Sequence, residues 1–514
     1  MNRISSDNEP DLAPDYAPGS RPDHGPGNTR FHRAFAITVG ALAALCMLFV
    51  ALAYLQGPKL ESAQFDTDRA IAEPGQLLRL FANQSIAEVS ADQVTIEPEV
   101  PFTVSTSGEV VAVTFASRLH YDTTYSVAID GVTSSYSDRP ATLSYTFTTG
   151  QVPLYYLDRG AGTPETDTPE TDTAEIIRTG LTGTERTVLF AGPRIQSFGM
   201  VTDTVVAVVS LTDSGTSTLQ LVDTETGLTE NVALPGDGTI TNLQLSDSGT
   251  ILAFEFTSAE VGAAQAGTGQ AGTGQAGTDQ ADTAQTDTAP EPAYTRALLR
   301  LDLDAGRDIE PVLGLGGTPL SVLDFTFAPA STDLVVHTID SSIVRIGADG
   351  AISPLGQFTR MGHLSIDDRV LTVFDQFGAL ALELDTLETS RLEPAPLDGL
   401  APFGSDVDVL PGGDRVQRVA VFHSDTGRFD SLVVLDDGTT SRVLYQTPKS
   451  EGSIDGFRVS PNGQYVAVEA VPNFENSVDD GYAVDRRSTT VQTIIVEVAT
   501  GAVVRVVDGF DLEW

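Results

Sequence analysis

Three patterns of apolar and polar positions follow one another along the chain. Residues 34–55 are an uncharged apolar run, AFAITVGALAALCMLFVALAYL. At about 1.5 Å of rise per residue, a helix of this length crosses a hydrocarbon core of about 30 Å. From Leu60 to Gly150 the pattern shortens to alternating runs, among them Leu77-Leu78-Arg79-Leu80-Phe81, Val110-Val111-Ala112-Val113-Thr114-Phe115 and Tyr125-Ser126-Val127-Ala128-Ile129. Period-two runs rich in Val, Ile, Thr, Tyr and Phe predict a β-sandwich over 60–150. From 151 to 514 the strands continue but fall into a loose unit of about 35–55 residues, which predicts the blades of a β-propeller. The expected fold is therefore all-β behind one N-terminal transmembrane helix.

Two recurring pieces carry the repeat. One is a strand, a Gly-containing turn and a second strand, as in Leu243 to Phe254 and, most clearly, Phe457-Arg458-Val459-Ser460-Pro461-Asn462-Gly463-Gln464-Tyr465-Val466-Ala467-Val468. The other is a strand ending in a turn, as in Leu219 to Gly227 and Ile494 to Gly501. Asn-Gly and Asp-Gly pairs suit such hairpins because they accept positive φ. Blades are expected near 186–234, 239–313, 319–356, 361–393, 402–447 and 453–508. Strands near 154–157 and 175–178 precede them, and Phe510 to Trp514 is placed to join these in a composite blade. The count is seven blades, or six without the composite. Two low-complexity stretches near 161–174 and 262–292 interrupt the region. They hold too little apolar surface to offset their ordering entropy and are expected to be disordered insertions.

These residues resemble known families. The piece from Phe457 to Val468, followed by Ile494 to Gly501, resembles TolB-like and WD-type propeller blades, with Asn462 where that family usually has Asp. Leu119, Thr123, Tyr125 and Val127 fall at the corner spacing of bacterial Ig-like domains of S-layer and other envelope proteins. Tyr145-Thr146-Phe147-Thr148-Thr149 matches their closing strand, while Tyr121 departs from the Pro or Gly often found before the corner. The second resemblance implies a spacer or adhesion module over about 85 residues rather than a catalyst.

Charge changes the picture next. Acidic residues number 71 against 29 basic, a formal net charge of −42, and the only lysines are Lys59 and Lys449. A surface of this sign repels phosphate backbones, so no nucleic acid is expected as a partner. Arg21, Arg30 and Arg33 precede the apolar run, whereas Glu61, Asp66, Asp68 and Glu73 accompany Lys59 and Arg69 after it. The basic flank places the N-terminus in the cytoplasm, so that the protein is single-pass with its C-terminal bulk outside. Residues 1–33, rich in Pro, Gly, Asp and Ser towards the start, are expected to be a disordered cytoplasmic tail. The alternative is a signal peptide cleaved near Ala53, within Ala51-Leu52-Ala53. The single cysteine, Cys46, lies within the apolar run, so no intramolecular disulfide forms.

The search for chemistry is largely negative. His120, His337, His363 and His423 lack metal-site spacing, and no Gly-x-Ser-x-Gly elbow is present. Asp213-Ser214-Gly215, Asp247-Ser248-Gly249 and His423-Ser424-Asp425 fall where turns are needed. Asp406-Val407-Asp408, Asp436-Asp437-Gly438 and Asp479-Asp480-Gly481 offer oxygen ligands for calcium, without the spacing of a calcium loop. No cofactor is expected. The most unusual segment is Pro472 to Thr490, a polar insertion in the last blade. Its Phe474, Tyr482, Arg486 and Arg487 are the candidate ligand or partner residues. Long loops on rigid scaffolds carry binding, and Arg recognises carboxylate or phosphate in a bidentate manner. The function expected is a non-enzymatic, membrane-anchored envelope protein whose propeller binds a protein or cell-wall polymer. The alternatives are a propeller lyase or glycosidase with carboxylates in its funnel, and an accessory or sensory subunit of a membrane complex.

Overall fold

A computed structural model describes residues 29–54, 57–160, 173–259, 293–448 and 451–514. The tail before residue 29 and nearly all of both low-complexity insertions lie outside these residues. One helix, Thr29–Tyr54, spans the apolar run. Its window Phe31–Leu48 is long and apolar enough to cross a membrane and packs against nothing else among the described residues. Beyond it the described chain is almost entirely β-structured.

Residues 60–148 form two antiparallel sheets on one core. One sheet holds Leu60–Gln64, Leu77–Ala82, Val110–Phe115 and Phe102–Ser107 in that order, and the other Val94–Glu97, Thr124–Ser134 and Ser137–Thr148. Alternate residues point inward, so Leu78, Leu80, Val111, Val113, Tyr125, Val127 and Ile129 are all fully buried between the sheets. The His120 amide donates to the Tyr125 hydroxyl at 2.9 Å, which fixes the corner that leads into the closing hairpin.

Among the described residues, seven four-stranded antiparallel sheets follow. Sheets 2 to 7 are each built from consecutive strands, within 195–232, 238–311, 322–357, 360–391, 403–446 and 453–508. Sheet 1 combines Pro153–Asp158, Thr173–Gly180 and Arg186–Pro193 with the last strand, Phe510–Glu513, which pairs with Pro153–Asp158. This corrects one boundary: Arg186–Pro193 is the outer strand of sheet 1, and sheet 2 begins only at Ile195. The two strands are separated by Arg194 alone, at φ 50°, directly after Gly192-Pro193.

Each sheet shares a core with the next. Leu157 and Ile176 of sheet 1 pack on Phe198 and Val206 of sheet 2, and Val209 on Phe254 of sheet 3. Leu298 meets Phe325, Val335 meets Met361, Phe374 meets Val407, and Val433 meets Phe457. Ile495 of sheet 7 then returns to Leu154 and Leu512 of sheet 1. Middle strands are covered on both faces, which explains unbroken apolar runs such as Val206 to Val209 in place of strict alternation. Closure through the C-terminal strand also leaves no free edge between first and last sheets.

The first strand of each of sheets 2 to 7, and the C-terminal strand that takes the same position in sheet 1, breaks register with its neighbour, at Ile195/Ser197, Thr241/Gln244, Val322/Asp324, Met361/Leu364, Gly404/Val407, Ile454/Gly456 and Phe510/Glu513. Such bulges turn carbonyls away from the ladder. Arginines of the preceding sheet satisfy several of them. Arg159 donates to the Ile195 and Gln196 carbonyls, Arg296 to Val322 and Leu323, and Arg418 to Ile454 and Asp455. Much of the scarce positive charge of this acidic chain is therefore spent on joining sheets.

One buried carboxyl is poorly matched to its surroundings. Asp408 is 5% exposed and its Oδ1 finds no hydrogen-bond partner among the described residues. Burial, together with nearby Asp367, pushes it up to about 7. A raised carboxyl contributes its stability below its ordinary range, near 3.8, and loses it as pH rises through about 7. Asp408→Asn is therefore expected to stabilise the fold at pH 8, on the order of 2 kcal/mol, and to leave it unchanged at pH 4. Urea midpoints at the two pH values check this.

Candidate functional site

Because successive strands of a sheet are antiparallel, their connections alternate between two faces of the ring. The turns joining first to second and third to fourth strands lie on one face. The connections from second to third strands, and from each sheet to the next, lie on the other.

The two-sheet unit covers the first of these faces. Its Arg118 is buried and donates to the Ala72 carbonyl at 2.7 Å in its own unit. It also reaches Asp247 of sheet 3 at 2.5 Å and the Pro461 carbonyl of sheet 7 at 3.5 Å. Asp247 in turn accepts from the Ala330 amide of sheet 4 at 2.8 Å. One guanidinium thus spans sheets that are far apart in the order of the ring. Around it, Gln464 accepts from the Tyr121 amide at 2.7 Å, and Asn462 donates to the Leu119 carbonyl at 3.1 Å. Tyr121 stacks on Tyr465, which stacks on Trp514. The Ser-Pro-Asn-Gly turn that marks the repeat most clearly is therefore also a docking element. Gly463 takes φ 73° there, where a side chain would be strained.

The opposite face is left to the long connections. The chain leaves it at Gly160 and returns at Thr173, leaves again after Ala259 and returns at Ala293, and carries the 472–490 loop between Tyr465–Val471 and Gln492–Glu497. All three join a second strand to a third.

The structure brings the four candidate residues of this loop onto one face but gives them different roles. Tyr482 is buried, with the Arg159 guanidinium 3.9 Å above its ring. Arg159 is itself only 3% exposed and pairs with Asp480 at 2.6 Å, itself 5% exposed. Arg487 is three-quarters buried and lies within 3.2 Å of Glu469, 3.4 Å of Asp485 and 3.6 Å of Asp511. These two arginines hold the loop down. Arg486 and Phe474 face solvent, 63% and 65% exposed, and only the Nε of Arg486 is engaged, with Asp479 and the Tyr482 carbonyl, each at 3.2 Å. Beside them lies a cleft of about 380 Å³ lined by Ser453, Asp455, Phe474, Ser477, Arg486 and Arg487. An exposed ring next to a guanidinium with spare donors suits a ligand that is part apolar and part anionic or carbonyl-bearing.

Arg159, Glu469 and Asp511 have no signature in the sequence, since Arg159 and Asp480 meet from opposite ends of the ring. The only hint is that Arg159 is a lone cation directly before an acidic stretch. Burial, and then Glu469 beside it, raise the Asp511 carboxyl against the pull of Arg487. Glu513 is raised by burial and accepts from the Met200 amide at 2.9 Å.

Removing Arg159 is expected to free the loop. In Arg159→Ala, trypsin should cleave after Arg486 or Arg487 on the order of tenfold faster, because an uncompensated Asp480 favours opening. Timed digestion with mass readout checks this, and Arg186→Ala, which alters an exposed pair, should leave the rate unchanged.

The remaining acidic candidates from the sequence, Asp408 excepted, are engaged in structure. Asp436 pairs with Arg415, Asp437 caps the turn at Thr439 and Thr440, and Asp406 pairs with Arg360 and Arg418. Asp479 pairs with Arg486 and Asp480 with Arg159. Among the described residues no three His, Cys, Asp or Glu side chains gather as a metal site. His363 stacks on Phe457 at 5.1 Å and is held down to about 4 by burial, so it is neutral at physiological pH. His337 bonds the Phe358 carbonyl, and His423 pairs with Asp430.

No family model matches the chain, and no curated protein matches it. Solved structures do overlap it. TolB from Acinetobacter baumannii is 11% identical, covering 73% of this chain and 75% of its own, with a TM-score of 0.32. The tricorn protease is 9% identical over 83% of this chain and 46% of its own, with a TM-score of 0.36. The GH74 xyloglucanase from Xanthomonas campestris is 13% identical over 63% and 49%, also with a TM-score of 0.36. The chain is similar to these proteins at a level that brings over neither activity nor partner.

Proposed function

We propose that this chain is a non-enzymatic, single-pass envelope protein in which an Ig-like spacer carries a seven-bladed propeller whose far face binds a ligand. The observation that carries this reading is the position of Arg118. With one face of the ring taken up by the spacer, the face bearing the 472–490 loop is the one left for a partner. The helix, being apolar and unpacked, serves as the anchor, and the basic residues before it keep the N-terminus in the cytoplasm. Carboxylates near the loop are tied to Arg487, Arg159 or backbone amides, which favours holding over proton transfer.

The test is in-cell photo-crosslinking with a benzophenone amino acid. Leu315 lies on the far face and is 88% exposed, while Leu228 lies on the spacer side and is 71% exposed. Adducts are expected from position 315 and not from 228. Adducts from 228 alone would overturn the assignment. A lyase or glycosidase is the second reading, favoured by the raised Asp511 and Glu513 carboxyls. It requires turnover of a polysaccharide that Asp511→Asn abolishes.

A further inference from the structure

The exposed phenylalanines are not scattered. Outside the helix, the exposed phenylalanines among the described residues are Phe377, Phe403, Phe422, Phe429 and Phe474. Each lies on the far face. Phe377 is in the turn after Val370–Asp375, Phe422 and Phe429 flank the turn between Arg415–His423 and Arg428–Asp436, Phe403 opens sheet 6, and Phe474 is in the long loop. Ile339, 60% exposed, occupies the corresponding turn of sheet 4. Phe429 is the centre of a cluster, with Phe422 at 5.0 Å and Phe403 at 6.0 Å between ring centroids. Solvated aromatic clusters of this kind mark contact surfaces, because leaving them in water forgoes burial.

Three observations decide what covers them. The segments that leave this face, 161–172 and 260–292, contain no Phe, Leu, Ile, Met, Trp or Tyr, so they have no large apolar side chains to lay over the rings. They do contain nine carboxylates and no Lys or Arg. The turns around the phenylalanines carry exposed carboxylates as well, Asp340, Asp425 and Glu475, although Arg428 is exposed beside Phe429 and Arg486 beside Phe474. Asp340 is held below the usual carboxylate range by the Thr338 hydroxyl and the Ser342 amide, so it stays ionised. A second copy of the chain, at −42, would be repelled by this field. A neutral glycan would gain no long-range attraction from this charge.

Resting on the far-face reading above, we propose that this surface docks a protein partner with an apolar centre rimmed by lysine or arginine. The phenylalanines of sheets 5 to 7 bury against that centre, and the surrounding carboxylates steer and orient it.

The experiment places the benzophenone amino acid at Phe429 of the full-length, membrane-anchored protein in cells and sequences the crosslinked material. The expected adduct is a polypeptide whose crosslinked stretch is apolar with Lys or Arg on either side. Its yield should fall on the order of tenfold in Phe403→Ser/Phe422→Ser. It should fall comparably in Asp425→Lys/Glu475→Lys, which leaves the rings in place. Adducts to glycan, to a second copy, or to a polypeptide without basic residues would overturn this inference while leaving the far face as the binding face. A yield unchanged by both double variants would overturn it as well. No adduct from either position 429 or position 315 would overturn both.

Discussion

Asp436→Ala is expected to destabilise the ring by about 3–5 kcal/mol, the cost of stranding a buried charge. Asp436 is fully buried at the end of Arg428–Asp436. Its carboxylate accepts from Arg415 at 2.8 Å, the Ala395 amide at 2.7 Å, the Gly438 amide at 2.5 Å, Gln417 at 3.2 Å and the Ser441 hydroxyl at 3.2 Å. Removing it leaves a guanidinium that is 9% exposed, and two amides, without their acceptor. The charge pair need not be stabilising in itself. Replacing both partners, as in Arg415→Met/Asp436→Leu, should recover much of the loss, because the desolvation cost disappears with the charges. Neighbouring Asp437, exposed and serving only the Thr439–Thr440 turn, should matter far less. Urea unfolding of Asp436→Ala, the double variant and Asp437→Ala separates these outcomes. An unchanged midpoint for Asp436→Ala would mean that sheet 6 tolerates the unpaired cation.

Arg118→Ala is expected to release the two-sheet unit from the ring without unfolding either. Among the described residues, Arg118 carries the ion pair that joins the two units, and truncating one partner of a hydrogen-bonded charge pair at an interface costs about 2–5 kcal/mol. What remains is the aromatic stack of Tyr121, Tyr465 and Trp514, together with the Gln464 and Asn462 contacts. Spin labels at Ser107 and Ser214 should give one narrow distance distribution in the parent protein and a broad one in Arg118→Ala. Adding Tyr121→Ala should broaden it further, since the two changes remove different halves of the same contact. A narrow distribution in the double variant would mean that the Gly150-Gln151 connection alone fixes the geometry.

Much of the architecture was legible because it rests on local rules. The uncharged run gave the helix, and the alternating runs from Leu77 to Phe115 gave strands that the structure contains. The Asn462-Gly463 pair marked a hairpin because positive φ is needed there. The composite closing sheet could be suspected because Phe510 to Glu513 is a strand left over after the last repeat. The boundary at Arg194 was marked in the sequence only by Gly192-Pro193, a turn pair that sits at the end of one strand and one residue before the next. The candidate site was legible only in part. Loop length and unusual cations pointed to 472–490, yet sequence alone does not distinguish a cation that binds from one that anchors. Arg487 and Tyr482 turned out to be inside, Arg486 and Phe474 outside. The partners that decide this, Arg159 and Asp511, come from the start and end of the ring and meet only on closure. The far-face phenylalanines were invisible for the same reason: Phe377, Phe403 and Phe429 share a face through topology, not through spacing.

The most direct test of a spacer-capped ring on a membrane anchor is cysteine accessibility in intact cells. The sole native cysteine, Cys46, lies within the apolar helix, so single introduced cysteines report cleanly. With a membrane-impermeant maleimide, Leu315→Cys should label readily, Asn462→Cys should stay protected until Arg118 is also replaced, and Asn8→Cys should label only after lysis. Labelling of Asn8→Cys in unbroken cells, or of Asn462→Cys as fast as Leu315→Cys, would contradict the arrangement.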